Sequence, residues 1–101
     1  MIIYNVTYSV ENSIHQEWLS WMKETHIQEI IETGLYVKYQ FVKLLDMNEE
    51  ESATYAVQFY AETKAKHLEF MIEHETAFRL KSSRQWGNEV MSFGTLMQIV
   101  Q

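Results

Sequence analysis

The chain has no cysteine and no proline, and only three glycines among its 101 residues. Without cysteine there can be no disulfide, no thiolate metal site and no cysteine nucleophile, and a reducing compartment is expected. Without proline, linker-like or low-complexity stretches, nothing marks off a second domain, so residues 1–101 are expected to form one. Gly34, Gly87 and Gly94 are too scattered to build a phosphate-cradling loop, and no G-x-S-x-G nucleophile turn occurs. Basic residues are also few, 8 against 14 acidic ones, for a formal net charge of −6. The one basic cluster, Arg79, Lys81 and Arg84, is spread around a helix rather than gathered on a face. That argues against nucleic acid and anionic membrane as partners, since both are bound through concentrated Lys and Arg. No apolar run approaches the ~20 residues that cross a bilayer. The opening MIIYNVTYSV has neither a basic n-region nor a small-residue cleavage site, so it reads as mature protein and not as a signal peptide. A cytoplasmic protein is expected.

What is present is a core. Hydrophobic residues make up 47% of the chain and aromatics 14%, and a chain of this length buries roughly 60–70% of its unfolded surface. Residues 2–10 alternate with period two, placing Ile2, Tyr4, Val6, Tyr8 and Val10 on one face and Ile3, Asn5, Thr7 and Ser9 on the other, the pattern of a strand. Ser13 followed by Gln16 is a capping-box spacing that predicts a helix from about Ile14, ending at Gly34. Residues 35–45 alternate again, Leu35, Val37, Tyr39 and Phe41 against Tyr36, Lys38, Gln40 and Val42. After an acidic break over 46–52 comes a further strand over 53–61, with Tyr55, Val57 and Phe59 on one side. The acidic break lacks the glycine and the spacing of a calcium loop. A second helix is predicted over 62–86, with a bend near Glu75 and Thr76 and an apolar stripe of Leu68, Met71, Ile72 and Phe78. Met91, Phe93, Thr95, Met97 and Ile99 alternate along a last strand over 90–100.

The order β-α-β-β-α-β, with right-handed crossovers, predicts an α+β ferredoxin-like fold: a four-stranded antiparallel sheet with both helices on one face. The second face would carry Ile3, Tyr36, Val42, Leu44, Tyr60, Leu96 and Val100. Such a band exceeds what monomers usually expose, so a homodimer pairing sheet face to sheet face is expected.

Four residues in IHQEWLSWMKETHIQEI could carry chemistry. On a helical wheel with Trp18 at the origin, Met22 falls at about 40°, His26 at about 80° and Ile30 at about 120°, whereas Trp21 lies near 300°. His26 therefore faces inward, while Trp21 and His15 point elsewhere and the four do not converge. An inward histidine is either a core residue bonded to a carbonyl or a neutral base or ligand, since burial lowers its pKa. His67 and His74 are seven apart, too wide for one metal ion on one helix. A site joining His26, His74 and a carboxylate is the remaining metal possibility, and no metal or other cofactor is expected. Asn5, a polar residue within the first strand, either sits at a wet sheet surface or faces a ligand.

The segments MIIYNVTYSV, IHQEWLSWMKETHI with ETG after it, LLD before the acidic turn, and SFGTLM together resemble a small bacterial family known as a domain of unknown function. The resemblance spans nearly the whole chain and is most distinctive over residues 18–27. A proline often follows HI in that family; Gln28 stands there instead and lets the helix continue past His26. The family is in turn similar to the dimeric α/β-barrel superfamily, whose ferredoxin-like subunits pair through their sheets. The superfamily includes antibiotic-biosynthesis monooxygenases, haem-degrading enzymes, chlorite dismutase-like and muconolactone isomerase-like proteins, and stress-response proteins. The resemblance implies a cleft between helices and sheet. Haem-degrading members have an asparagine on the first strand and a histidine on the second helix, loosely matched by Asn5 and His74, but Lys66 stands where their tryptophan would fall, which counts against haem breakdown.

Two classes of function follow. One is a structural or small-ligand-binding dimer. The other is a cofactor-poor monooxygenase or isomerase acting on an apolar small molecule in the helix–sheet cleft. There His26 or His74 would be the acid–base group, Asn5 an orienting hydrogen bonder, and Trp21 or Phe78 the apolar wall.

Overall fold

The computed structural model describes residues 1–48, 50 and 52–101. Four strands, β1 (Ile2–Glu11), β2 (Lys38–Lys43), β3 (Ser52–Ala61) and β4 (Val90–Gln98), form one sheet in the order β2-β3-β1-β4. β1 pairs antiparallel with both β3 and β4, and β2 pairs antiparallel with β3. Between β1 and β2 run α1 (His15–Trp21), a π-helical turn (Met22–His26) and α2 (Ile27–Glu32); between β3 and β4 run α3 (Lys64–Glu73) and α4 (Glu75–Trp86). This is the predicted ferredoxin-like order. The acidic break expected over 46–52 includes Glu49 and Glu51, which lie outside the described residues.

The alternation in β1 works as expected. Tyr8 and Val10 are buried beneath the helices, and their partners Tyr55 and Ala53 on β3 are buried with them. Trp18 has no exposed surface and packs its ring against Tyr8, Tyr55 and Phe41 at 5.3–5.9 Å between centroids. Gly34 takes the left-handed conformation, φ 77°, and donates its N–H to the Ile31 carbonyl, ending α2 as predicted.

Several local expectations are corrected. α1 follows a 3-10 turn (Asn12–Ile14) and its cap is Ile14, whose side chain can accept nothing, so Ser13 and Gln16 do not form the capping box there. β2 begins at Lys38 rather than at residue 35, because Leu35 and Tyr36 turn into the core ahead of it. The second helix starts at Lys64 with Thr63 as its cap, the Thr63 hydroxyl accepting from the Lys66 N–H at 3.3 Å. It breaks at His74, one residue before the expected bend.

The apolar stripe on that helix is as expected at Met71 and Phe78, which pack against the core, and not at its other two positions. Leu68 and Ile72 are exposed, 48% and 83%, while His67 and Phe70 are buried. The reason is Tyr36. Its hydroxyl lies 2.8 Å from Nδ1 of His67, so an imidazole sits satisfied in the core where apolar counting would have placed a leucine.

The outer sheet face is also revised in part. Register places Ile3, Tyr60, Val42, Met97, Phe93 and Met91 together on it, and Phe93 and Met91 are 65% and 69% exposed. Tyr36 is buried instead, and Leu96 pairs with Tyr4 on the helix side. Val100 lies beyond the end of β4.

Candidate functional site

The π turn decides where the first helix points its side chains. The Ile27 N–H bonds to the Met22 carbonyl, five residues back instead of four. One turn is thereby widened, and residues five apart come to lie over one another. Trp21 and His26 are such a pair, and their rings stack at 4.6 Å with an interplanar angle of 23°. Two residues expected to diverge are thus brought together, because ordinary helical winding does not hold between them. Trp21 also meets Trp86 edge-on at 5.8 Å. His15 reaches Tyr55, with Nε2 2.5 Å from the hydroxyl.

His26 is 5% exposed, and its ring stands perpendicular to that of Phe78 at 5.8 Å between centroids. Among the described residues its Nδ1 has no hydrogen-bond partner. Burial pulls its pKa from 6.5 down to about 4; Glu29 opposes this and Lys81 adds to it. The imidazole is therefore neutral at neutral pH.

Beside His26 lies a cavity of about 220 Å³ between sheet and helices. Tyr4, Val6, Tyr8 and Phe59 form its floor, and Ile30, Phe70 and Phe78 join His26 on the helical side. Glu75, Arg79, Ser82 and Ser83 of α4 and Ser92 of β4 provide its polar surface. Arg79 donates from Nε to Oε1 of Glu75 at 3.2 Å, one turn away on the same helix. Tyr4 owes its position to a glycine: a Cβ at Gly94 would stand 2.8 Å from Cε1 of Tyr4, so the ring lies directly over the bare backbone of β4. Burial, with Glu75 nearby, raises the Tyr4 pKa and keeps its hydroxyl protonated.

Two residues singled out from the sequence, His26 and Phe78, line this cavity. Trp21 stands behind His26 rather than on the wall. Asn5 is on the wrong face: strand alternation sends Tyr4 and Val6 to the cavity and turns Asn5 to the outer face, where its Nδ2 donates to the Thr7 hydroxyl at 3.1 Å. His74 marks the break between α3 and α4, half-buried, with its ring 5.9 Å from Phe70 and outside the lining. Asn5 and His74 are therefore not brought together with His26. Sequence reasoning missed Tyr4, Tyr8 and Phe70, which read as ordinary core, and the Glu75–Arg79 pair, whose spacing reads as a surface pair. Among the described residues, no three or more His, Asp or Glu side chains gather to hold a metal ion, and no helix is long and apolar enough to cross a membrane.

Sheet order, helix placement and cavity define the chain as a ferredoxin-like α+β protein with a helix–sheet cavity. Its residues 1–100 match the model of the domain of unknown function DUF4286, and the chain belongs to that family. No curated protein matches it significantly. Its fold is similar to that of a dimeric ferredoxin-like protein from an uncultured marine organism (10% identity, 99% of this chain and 96% of that one, TM-score 0.72). It is similar also to an ethyl tert-butyl ether d (EthD) family protein from Bacillus halodurans (8% identity, 99% and 100% covered, TM-score 0.67). A third similar structure is SnoaB, a cofactor-independent oxygenase from Streptomyces nogalater (12% identity, 99% and 94% covered, TM-score 0.63). At such identities the likeness is one of fold.

Proposed function

We propose that this protein is a cytoplasmic homodimer that binds an apolar small molecule in the cavity between its helices and its sheet. One observation carries the reading: a cavity of about 220 Å³ joins an aromatic and aliphatic floor to a polar rim from α4 and β4, with the buried imidazole of His26 in its wall. Ligand pockets have this composition, apolar walls with a few convergent polar groups. An apolar cavity of ~150 Å³ already takes a benzene ring, so this one has room for a substituted ring. The homodimer follows from the outer sheet face, where Phe93, Met91, Met97, Ile3 and Tyr60 form a patch that a second copy would cover. That the similar marine protein is described as dimeric supports it.

Native mass spectrometry and sedimentation of the purified protein test both parts. A dimer that carries or takes up small aromatic molecules is expected, and Phe93→Glu should shift it toward monomer. A wild-type monomer at micromolar concentration would remove the dimer; cavity-residue NMR signals unmoved by any aromatic compound would remove the ligand.

The second reading is a cofactor-poor monooxygenase or isomerase acting on such a molecule. The observation that favours it is the neutral imidazole of His26 on the cavity wall, able to take a proton from a bound acid. SnoaB supports it as an oxygenase of the same fold that works without a cofactor. Asn5 and His74 have no part in it. Turnover or dioxygen uptake with a bound aromatic compound, lost in His26→Phe, is the expected result; binding without turnover returns the protein to the first reading.

A further inference from the structure

The outer sheet face carries a polar pattern that determines how two copies meet, on the reading that a second copy covers it. Register sets Gln40, Gln58, Asn5 and Thr95 side by side, one from each strand, in a row across the middle of the sheet. The row on one side of it is Lys38, Tyr60, Ile3 and Met97, and the row on the other is Val42, Ala56, Thr7 and Phe93.

Charge is confined to the margin. Among the described outward positions of the four strands only Lys38 and Glu11 are charged, the first residue of β2 and the last of β1. The Lys38 ammonium lies over the Tyr60 ring, 4.6 Å from its centroid. A sheet face that stays in water is ordinarily the polar side of the sheet, whereas the core of an interface is depleted in charge. A central row of amides and one hydroxyl, polar yet uncharged, fits the interface.

The two central amides are each half engaged. Asn5 donates from Nδ2 to the Thr7 hydroxyl at 3.1 Å and keeps its carbonyl oxygen. Gln58, its partner in register, accepts from the Tyr60 hydroxyl at 3.4 Å and keeps its N–H groups. Among the described residues neither side chain makes another hydrogen bond. An acceptor is thus left on one strand and a donor on its neighbour, and a half-turn about an axis between them supplies each with the other. Wherever the two rows fail to meet, these amides lie against Ile3, Tyr60 and Met97 or against Val42, Ala56 and Phe93, mostly without partners. A buried amide without a partner is destabilising, so the row favours its own alignment, as a buried asparagine fixes register in a coiled coil.

We propose that two copies pack with their polar rows in contact and the two-fold axis between Asn5 and Gln58, so that the free carbonyl of Asn5 accepts from the side-chain amide of Gln58 of the partner subunit, and the same bond forms again by symmetry.

Sedimentation velocity of the full chain carrying Gln58→Lys or Gln58→Glu, each alone and the two mixed in equal amounts at pH 7, tests this. Each variant alone sets like charges beside the axis and should raise the dimer dissociation constant about a hundredfold or more; the mixture should recover to within about tenfold of the wild type. In wild-type dimers mixed from ¹⁵N- and ¹³C-labelled chains, isotope-filtered NOEs should join the Gln58 side-chain amide to Asn5 of the partner subunit. This measurement decides the matter if a variant does not fold. Variants that dimerise as tightly as the wild type, or a mixture that recovers nothing, overturn the alignment and leave the homodimer standing. Filtered NOEs that join the Gln58 amide only to Met97 or Phe93 of the partner subunit overturn it too. If the wild type itself is a monomer, the alignment and the homodimer fall together.

Discussion

Protonating His26 should destabilise the protein, and the size of the effect follows from its burial. The imidazole has an ordinary pKa of 6.5 when unfolded and about 4 when folded, because burial disfavours the cation. Between these values the unfolded chain takes up a proton that the folded chain refuses. Stability from this group is therefore complete above pH 6.5, falls as pH drops, and stops falling near pH 4, where the folded form also protonates. The full interval is worth roughly 3 kcal/mol, and about 2.5 kcal/mol of it is lost by pH 4.5. The carboxylates titrate over part of the same range, so the comparison has to be made against His26→Phe, which keeps them and removes the imidazole. Urea unfolding followed by tryptophan emission, at pH 7.5 and 4.5 and at fixed protein concentration, gives the two differences. The wild type should lose about 2.5 kcal/mol more than the variant between these pH values. Parallel losses, or an NMR titration that places His26 near 6.5, would refute the claim that this ring is buried and neutral.

Three further outcomes test the packing. Phe70→Ala should cost about 3–5 kcal/mol and Ile72→Ala less than about 0.5 kcal/mol; denaturant titration showing the reverse order would mean that α3 presents its other face to the sheet. Tyr36→Phe leaves Nδ1 of buried His67 without its bond and should cost about 1–3 kcal/mol, with a cost near zero showing that the pair contributes nothing. Gly94→Ala places a methyl against the Tyr4 ring and should cost about 1–3 kcal/mol while shifting the Tyr4 ring resonances; full stability with unmoved resonances would disprove the close approach.

The fold was readable because strands announce themselves by alternation and the helices fall between clear breaks, the stop at Gly34 among them. β1 needed only Ile2, Tyr4, Val6, Tyr8 and Val10, and the order of elements then left one sheet arrangement to expect. The errors lie where polar residues are buried with partners supplied from far along the chain. Apolar spacing puts Leu68 and Ile72 in the inward stripe, but the buried position goes to His67, whose partner Tyr36 lies 31 residues earlier in the chain. Leu35 and Tyr36 looked like strand for the same reason: alternation does not tell a pleated residue from a loop residue swung into the core. The cavity was half legible. His26 was recognised as inward and Phe78 as apolar lining, but the stacking of Trp21 on His26 depends on a π turn that no residue between Met22 and His26 signals. Asn5 was assigned its face correctly, and the error was to carry a relative's asparagine into a cleft from which that face points away.

The π turn also has a meaning in terms of inheritance. Deleting a single codon within 22–26 would restore ordinary helical winding without altering any residue of the sheet. For a deletion within 22–25, Trp21 and His26 would then stand four residues apart instead of five, and on an ordinary helix that spacing still lays one side chain over the other. The sheet, with its aromatic floor, would be untouched. The extra residue of the π turn is thus removable in one genetic step that parts neither the Trp21–His26 stack nor the sheet beneath it.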